Sequence, residues 1–507
     1  HLPHRRRAQN FAHAPVLTQF LQNCLPPVET NTEDSTFSEI ADDNVGKILF
    51  LSFVAALGGF LFGFDSGVIN GTVDALQAEF NSDDVGTGFN VASMLLGCAV
   101  GAFFAGNLAD KFGRRPAMIL TGIAFIISAL GSGASGSSPE FVFFRITGGL
   151  AVGAASILAP AYISEIAPPS IRGSLATLQQ LMIVIGLFMA FVSNYLIAGA
   201  AGSPHDVFWA GFDAWQWMYW IEILPASFFL ISLFFIPESP RYLVAAGEED
   251  EARSVINSLS TAQNTDEKIA DIRSTLKGGR PSLSDIIHER TGRIHPLVWV
   301  GIGLAALQQF TGINVVFYYG ATLWQAAGFT ESVSLLSNVV TGVVNIGFTI
   351  IALYLIDRLG RKPLLLIGAL GQAVMLAVLA YTFGTAGLGP DGNLQLSGTM
   401  GTVALVSANT YVAFFALSWG PVMWVMLGEM FPNNFRGAAL SLAGLVQWLS
   451  NFAITMTFPI LLDSIGLGFS YAIYSAFGVV AFFFVRAVVK ETKGRTLEDM
   501  SREAAEA

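Results

Sequence analysis

The sequence predicts an all-α membrane protein with twelve transmembrane helices in two pseudo-symmetric six-helix halves. Three observations point to this fold class: an apolar composition, the regular spacing of long apolar stretches, and the recurrence of polar motifs in the second half of the chain. Of the 507 residues, 53% are hydrophobic and only 12% are charged. The mean hydropathy of +0.57 is too high for a water-soluble protein of this length, so we expect the chain to fold in a lipid bilayer.

Twelve apolar stretches have the length of about 20 residues that a helix needs to cross the hydrocarbon core. Six of them precede a long polar insert, and six follow it. The predicted topology is therefore six helices, an insert and six more helices. The stretches lie at approximately 47–71, 88–108, 116–135, 140–161, 175–199, 214–236, 296–320, 334–356, 363–385, 400–425, 438–461 and 467–489.

Polar segments divide the chain into five predicted parts. The N-terminal segment lacks an apolar core, so we expect it to be a disordered tail rather than a signal peptide or a span. The insert has helical spacing, which favours a few short amphipathic helices over a passive linker. The parts are the tail 1–45, the first six-helix half 46–240, the cytoplasmic helical insert 241–294, the second six-helix half 295–490 and the C-terminal tail 491–507.

The loops differ in charge, and this difference predicts the orientation of the protein. Lys and Arg occur in the loops after the second, fourth, eighth and tenth stretches, whereas loops 72–87, 200–213 and 386–399 contain neither. Basic loops remain in the cytoplasm. We therefore expect a cell-membrane protein with both termini and the insert in the cytoplasm. Cys24 and Cys98 are expected to be free thiols.

Polar motifs recur at corresponding places in the two halves. The motif DKFGRR at 110–115 returns as DRLGRK at 357–362, and a Glu followed by Arg-Gly returns in the same way. A looser match relates the segments 238–241 and 491–495. These matches indicate that a six-helix unit has been duplicated, and such repeats place the substrate between the halves near the bilayer midplane.

Acidic residues accompany the basic residues at this predicted cytoplasmic end. Orientation signals and solvated helix caps would explain the bases but not the matched acids. We therefore predict ion-pair clusters that close the cytoplasmic side between the halves and break when that side opens. The residues of this predicted gate are Asp110, Arg114, Arg115, Glu165, Arg172, Glu238, Arg241, Asp357, Arg361, Glu429, Arg436 and Glu491.

Two ionisable residues lie inside apolar stretches. Asp65 belongs to the first stretch and Arg145 to the fourth. Charges are expensive in hydrocarbon, so each needs a partner, a path to water or a change of protonation. An acid and a base in different helices suggest a titrating pair inside a transporter. The alternative is an ion pair with a purely structural role.

Amide and indole side chains are unusually frequent in five of the stretches. Amides in hydrocarbon need partners, and a polyhydroxylated ligand offers matched donors and acceptors. Bonds between helices and interfacial Trp belts would explain single residues almost as well, but they explain the whole cluster poorly. The cluster comprises Gln179, Gln180, Gln308, Gln309, Asn314, Asn345, Trp419, Trp424, Gln447, Trp448 and Asn451.

With these motifs the chain resembles the sugar porter branch of the major facilitator superfamily over about residues 45–500. The resemblance implies the major facilitator fold with twelve helices, alternating access and monosaccharide transport. The matching segments, specific as an ordered set, are GFLFGFD at 59–65, DKFGRR at 110–115, Arg145 with 148–149, PESPR at 237–241, QQFTGIN at 308–314, GPVMW at 420–424 and ETKGR at 491–495.

The resemblance also implies roles for individual residues. Asp65 matches the acid of proton-coupled members, where passive facilitators commonly have Asn, and Arg145 matches the arginine opposite it. Glu222 matches an acid that assists proton coupling, and the apolar Leu187 and Phe317 occupy positions that can line the sugar pocket. The implied sugar contacts are Gln180, Gln308, Gln309, Asn314, Asn345, Trp424, Gln447, Trp448 and Asn451.

The favoured function is proton-coupled symport of a hexose, with glucose preferred. The alternatives are a xylose or other pentose symporter, a passive sugar facilitator and a non-transporting sugar sensor. The sequence contains no nucleophile–base arrangement, metal-ligand spacing or phosphate loop, so we do not expect an enzyme. The expected partners are a monosaccharide, a proton and the lipid bilayer. We expect no cofactor, no metal and no nucleic acid, and a monomeric state.

Overall fold

A computed structural model describes residues 44–259, 265–276, 286–287, 292–388, 394–396, 398–432 and 435–493. The predicted disordered tail, including Cys24, and most of the C-terminal tail therefore lie outside the described residues. Cys98 is buried and free.

Long helices form the first half. They are α1 (Val45–Val68), followed by a 3-10 turn (Ile69–Gly71), α2 (Val73–Glu79), α3 (Asp84–Phe112), α4 (Arg114–Ala134), α5 (Ser138–Ile166), α6 (Pro169–Ala201), α7 (Ala214–Trp220) and α8 (Ile223–Ser232), followed by a 3-10 turn (Leu233–Phe235). A short hairpin of β1 (Val207–Trp209) and β2 (Phe212–Asp213) precedes α7.

The insert and the second half continue the helical pattern. The insert region contains α9 (Pro240–Ala246), α10 (Glu249–Leu259) and α11 (Thr265–Leu276). The second half contains α12 (Pro296–Phe310), α13 (Ile313–Ala326), α14 (Glu331–Leu359), α15 (Arg361–Gly384), the hairpin of β3 (Gly387–Leu388) and β4 (Leu394–Gln395), α16 (Gly398–Leu417), α17 (Pro421–Met430) and α18 (Arg436–Val488).

In the described part of the chain, eleven helical segments are long and apolar enough to cross a membrane. The longest, α18, has 53 residues and is broken at Gly466, where φ is 76° and ψ is 171°. It therefore contains the eleventh and twelfth predicted stretches, and the number of crossings agrees with the sequence. Breaks also divide the seventh span between α12 and α13 and the tenth between α16 and α17.

Glycines allow the helices around the centre of the first half to approach closely. A Cβ atom on Gly63 of α1 would lie 1.9 Å from the carbonyl oxygen of Ile183 in α6, and one on Gly186 would lie 2.0 Å from that of Phe60. Only hydrogen fits at these two positions. Small residues serve the same purpose wherever membrane helices pack backbone to backbone, and here they bring α1 and α6 together beside Asp65.

Two pairs of helices form most of the interface between the halves. Helix α3 packs against α18, and α6 packs against α14. Loops rich in Lys and Arg occur at one end of the bundle, which we call the basic end. The segments 72–83 and 202–213 and the strands β3 and β4 lie at the opposite end.

Candidate functional site

Asp65 and Arg145 form an ion pair between α1 and α5. Each side chain is only 1% exposed. Arg145 also donates to the backbone carbonyl of Asp65, at 3.2 Å from Nη2, and contacts the sulfur of Met94. The structure thus joins the two charged residues that the sequence placed in different apolar stretches.

This ion pair leaves part of its hydrogen-bonding capacity unused. Asp65 Oδ2 and Arg145 Nε have no protein partner, and the same is true of Oε1 of Glu222. Glu222 is also 1% exposed and acts electrostatically on both members of the pair. The ring of Tyr219 lies 5.7 Å from Arg145 Cζ. Arg145 therefore pairs with Asp65 and lies within electrostatic range of a second buried carboxylate, Glu222. We call these three charged residues the buried charge cluster.

Four side-chain amides of the second half form a continuous chain. Asn314 donates to Gln309, which donates to Gln308 at 3.1 Å, and Gln447 lies 3.5 Å from the same oxygen of Gln308. Gln308 in turn donates to the carbonyl of Trp419 at 2.7 Å. The first turn of α13 and the end of α12 bring Asn314 close to Gln308 and Gln309, because the helix is broken between them at Gly312, where φ is 81°.

Aromatic and polar side chains continue this amide chain towards the first half. Trp448 packs against Phe62 of α1, with ring centroids 5.7 Å apart. Asn451 lies 3.4 Å from the hydroxyl of Tyr318 and accepts from Thr455 at 3.1 Å. Because Phe62 and Trp448 belong to different halves, the cluster lies at the interface between them.

The other predicted sugar contacts are more dispersed. Asn345 and Phe317 are buried in the second half, whereas Trp424 is 38% exposed. Gln180 and Leu187 lie on α6 and are the predicted pocket residues of the first half. Their assignment to a sugar site stays a prediction. Gln179, beside Gln180, is buried with both amide atoms unpartnered.

Asn70, in the 3-10 turn after α1, is a residue that the sequence reasoning missed. Helix α13 is distorted at Tyr319, with φ of −115° and ψ of 16°. Asn70 accepts from the N–H of Ala321 at 3.1 Å and donates to the carbonyl of Phe317 at 2.8 Å, two groups that bond each other in a regular helix. It also accepts from Asn338 at 2.6 Å.

This contact connects the two halves near the opposite end. The sequence did contain a signal, since Asn70 is an amide at the end of the first apolar stretch. The criterion that selected the later amides would have selected it as well.

The predicted gate residues form two matching networks at the basic end. In the first half, Arg114 binds Glu165 with an N–O distance of 3.0 Å and Asp110 at 3.1 Å. Glu238 accepts from the backbone N–H groups of Arg114 and Arg115 at 2.9 and 3.1 Å. This close approach requires the glycine before them, because a Cβ on Gly113 would lie 2.3 Å from Glu238.

The second half repeats the same arrangement. Arg361 binds Glu429 at 2.7 Å and Asp357 at 3.0 Å, and Glu491 accepts from the backbone of Arg361 and Lys362 at 3.0 and 2.9 Å. Each network joins helices of its own half. The gate therefore stays a prediction.

The remaining gate residues differ in their surroundings. Arg436 donates to the carbonyl of Phe431 at 3.1 Å, and Arg241 is exposed. The side chain of Arg172 lies outside what the structure describes.

The two equivalent acids have opposite pKa shifts. Burial raises the pKa of Glu238, and the backbone N–H groups of Ser239, Arg115 and Arg114 only partly offset it. Burial also raises the pKa of Glu491, but backbone donors at Lys493, Arg361, Lys362 and Thr492 together hold that pKa below its ordinary value.

Comparison with known proteins identifies the fold and the family. The family model described as sugar (and other) transporter matches residues 51–504. The chain belongs to this sugar transporter family. The "Glucose transport protein" of Synechocystis sp. is 49% identical over 90% of this chain and 97% of its own. The "D-xylose-proton symporter" of Escherichia coli is 37% identical, over 90% and 96% respectively.

Solved structures agree with this assignment. The xylose transporter of E. coli in its inward-open conformation matches with a TM-score of 0.77 at 37% identity, covering 90% of this chain and 99% of its own. A partially occluded inward-open form matches with a TM-score of 0.76 at 36% identity, over 89% and 99%. The predicted all-α membrane fold and the family resemblance are confirmed, and the relatives are transporters rather than enzymes.

Proposed function

We propose that this protein is a proton-coupled symporter of a hexose, with glucose the favoured sugar, and that it works by alternating access. The observation that carries the proposal is the buried charge cluster of Asp65, Arg145 and Glu222. One guanidinium cannot balance two carboxylates, and an unbalanced charge is costly in a membrane interior. A proton on one of the acids balances the cluster, so the cluster supplies a place to carry the coupling ion.

The geometry of the ion pair supports a link between this proton and conformation. When Asp65 is ionised, Arg145 holds α1 through both the carboxylate and the backbone carbonyl of the same residue. Protonation removes the charge attraction, so α1 is held less tightly against α5. If the bound proton favours the state that loads sugar, thermodynamic linkage requires that the proton also binds more tightly when sugar is bound.

The amide chain supports sugar binding at the interface. Gln447 Oε1 has no protein partner, and Gln309 and Asn314 bond to each other's side chains. Sugar hydroxyls can replace such bonds with others of similar strength, so opening the chain costs little net free energy. The indole faces of Trp448 and Trp424 suit the C–H faces of a sugar ring.

Two sugars compete in this proposal. The relative with the higher identity is named a glucose transport protein, and the apolar Phe317 fits a hexose carrier, so glucose is favoured. The second candidate is a pentose such as xylose, because another relative is named a xylose–proton symporter. Passive facilitation is disfavoured by the ionisable side chain at Asp65, which a facilitator does not need.

The distribution of charge and contacts supports an orientation and a conformation. We place the basic end and both termini in the cytoplasm of a cell whose plasma membrane contains the protein. Asn70 bridges the halves near the opposite end, and two of the matched solved structures are inward-open or partially occluded inward-open. We therefore assign the structure to an inward-facing conformation, closed on the extracellular side.

The gate proposal follows from that assignment. We propose that the networks around Arg114 and Arg361 meet across the interface when the cytoplasmic side closes. Charge reversal in Glu165→Lys or Glu429→Lys should then increase the cytoplasmic accessibility of cysteines placed between the halves, whereas Glu267→Lys in the insert should not. Unchanged accessibility in both gate variants would leave the networks with a structural role alone.

Transport by purified protein in lipid vesicles tests the main proposal. Uptake of glucose, xylose and other monosaccharides is measured with and without an imposed pH gradient. We expect glucose to accumulate above equilibrium only when the outside is more acidic. Equilibration without accumulation would identify a facilitator, and a preference for xylose would identify the pentose symporter.

A further inference from the structure

A carboxylate on α2 contacts the second half directly. Asp74 accepts a hydrogen bond from the hydroxyl of Thr322 at 2.8 Å and another from the amide of Gln325 at 2.7 Å. Thr322 and Gln325 lie one turn apart on α13. Asp74 lies one turn after Asn70 along the chain. Both side chains contact α13, so together they form a row of contacts between the halves at the end opposite the basic end.

The surroundings of Asp74 raise its pKa above the ordinary value of a carboxyl group. Burial raises the pKa of Asp74, while bonds from Thr322 and Gln325 and the nearby His205 lower it, with a net rise.

Glu331, at the start of α14, is a second acid facing Asp74. Asp206 adds further negative charge near Glu331. In a state with the halves apart, Asp74 is hydrated and returns towards an ordinary carboxyl pKa.

The hydrogen bonds between Asp74 and α13 can form whether its carboxyl group is ionised or protonated. When Asp74 is ionised, Thr322 and Gln325 both donate to it. When Asp74 is protonated, its O–H can donate to the Thr322 hydroxyl, because a hydroxyl is both donor and acceptor. Gln325 continues to donate to the other carboxyl oxygen. Protonation therefore removes the cost of burying a charge while Asp74 keeps a hydrogen bond to both Thr322 and Gln325.

Water can deliver this proton. A cavity of about 610 Å³ lies at the same end of the bundle, and its lining includes Gln77, Asp84, Thr87 and Thr322. Gln77 lies on the same helix as Asp74, and Thr322 is its direct partner. Most of the lining is apolar, but a cavity of this size can hold waters at these four polar side chains.

We propose that Asp74 is a proton-sensitive gating residue, which takes up a proton as the extracellular side closes and thereby stabilises the closed state. That this end of the bundle faces the outside of the cell rests on the proposed function. The linkage is reciprocal: if closing favours protonation, then acidification favours closing. Asp74 would thus act separately from the buried charge cluster, at the entrance rather than at the centre.

The distance between the two halves tests the proposal. Spin labels are attached at Ala78→Cys on α2 and Thr330→Cys before α14, both exposed positions, in a chain with Cys24→Ser and Cys98→Ala. Distances are measured in sugar-free nanodiscs between about pH 8 and about pH 5. We expect the fraction of molecules with the longer distance to fall by at least about twofold on acidification. In Asp74→Asn that fraction should be low at both values, because Asn imitates the neutral acid.

Two further variants test whether the response to pH comes from Asp74 and its contact with α13. Asp206→Asn removes a neighbouring acid whose charge acts on Glu331, and it should keep the response to pH. Thr322→Val removes one partner of Asp74, so the fraction with the longer distance should rise at both pH values. The proposal is overturned if Asp74→Asn keeps the full response, if the parent chain has none, or if Thr322→Val changes nothing.

The result does not depend on the transport proposal. Both faces of a nanodisc have the same pH and no sugar is present, so sugar choice and orientation do not enter. Titration of Asp65 or Glu222 is common to the parent and Asp74→Asn, so the difference between the two reports on Asp74. Failure of proton coupling would instead be seen in the vesicle assay.

Discussion

Asn70 and Phe317 are joined across the interface between the two halves, by a hydrogen bond of 2.8 Å from a side-chain amide to a backbone carbonyl. The bond exists because α13 is distorted two residues later, at Tyr319. In a regular helix the carbonyl of Phe317 would be satisfied within its own helix. The distortion leaves the carbonyl of Phe317 and the N–H of Ala321 free to bind Asn70 of the other half. The two halves are therefore held together at this end of the bundle by specific hydrogen bonds.

The first prediction concerns this bond. Asn70→Ala leaves the N–H of Ala321 and the amide of Asn338 without their partner, at a cost of about 1–3 kcal/mol for buried groups. We expect a lower melting temperature and a shift towards the state that is open at this end. Asn409→Ala is the matched control, because that amide bonds within the second half. Equal losses in the two variants would contradict a role specific to the interface.

The second prediction concerns the sugar site. Gln180→Ala, Gln309→Ala and Asn314→Ala should each weaken sugar binding by about 1–3 kcal/mol, because sugar groups buried beside them lose a partner. Protein yield should stay near normal. Calorimetric titration with glucose measures the change, with Asn409→Ala again as the control. Unchanged affinity in all three variants would reject the site.

The third prediction concerns coupling. Asp65→Asn imitates the protonated acid but cannot titrate, so it should keep sugar binding and exchange while losing accumulation driven by a pH gradient. Counterflow and gradient-driven uptake in vesicles separate these two activities. If the ion pair were only structural, Arg145 would be left buried without compensation, and folding or all transport would be lost. Accumulation by a well-folded Asp65→Asn protein would refute the coupling role.

The fourth prediction concerns pH at the basic end. The pKa of Glu491 is held below its ordinary value of 4.5 by backbone N–H donors. Its ionised form therefore adds stability above that value, and the contribution is lost as the pH falls through the lowered pKa. Glu491→Gln should reduce the melting temperature at neutral pH, and the difference from the parent should shrink as the pH falls below 4.5. A difference independent of pH would show that the charge is not responsible.

Glu238 provides the comparison for that measurement. Its pKa is raised above 4.5 by burial, so its ionised form is the less favoured one in the fold. Acidification through that raised pKa should therefore stabilise the region around Glu238. Glu238→Gln should cost less at neutral pH than Glu491→Gln, although the two acids occupy equivalent positions.

The sequence by itself determined the membrane environment, the twelve crossings and the duplication. Hydrophobic length and recurring motifs are local properties, and the bilayer accepts few alternatives to a helix for such stretches. It also identified Asp65 and Arg145 as residues that need partners, because a charge in an apolar stretch is anomalous wherever the helix packs. The family motifs then added expected roles that composition alone does not supply.

Only the tertiary structure decided which groups meet. Glycines such as Gly63 set how closely α1 and α6 approach, and that distance cannot be read from the spacing of residues along the chain. The partners of Asn70 on α13 lie far away in sequence and depend on a local break at Tyr319. Likewise, Arg114 and Arg361 bind acids of their own halves, because the repeated turns bring backbone donors and carboxylates of one half together.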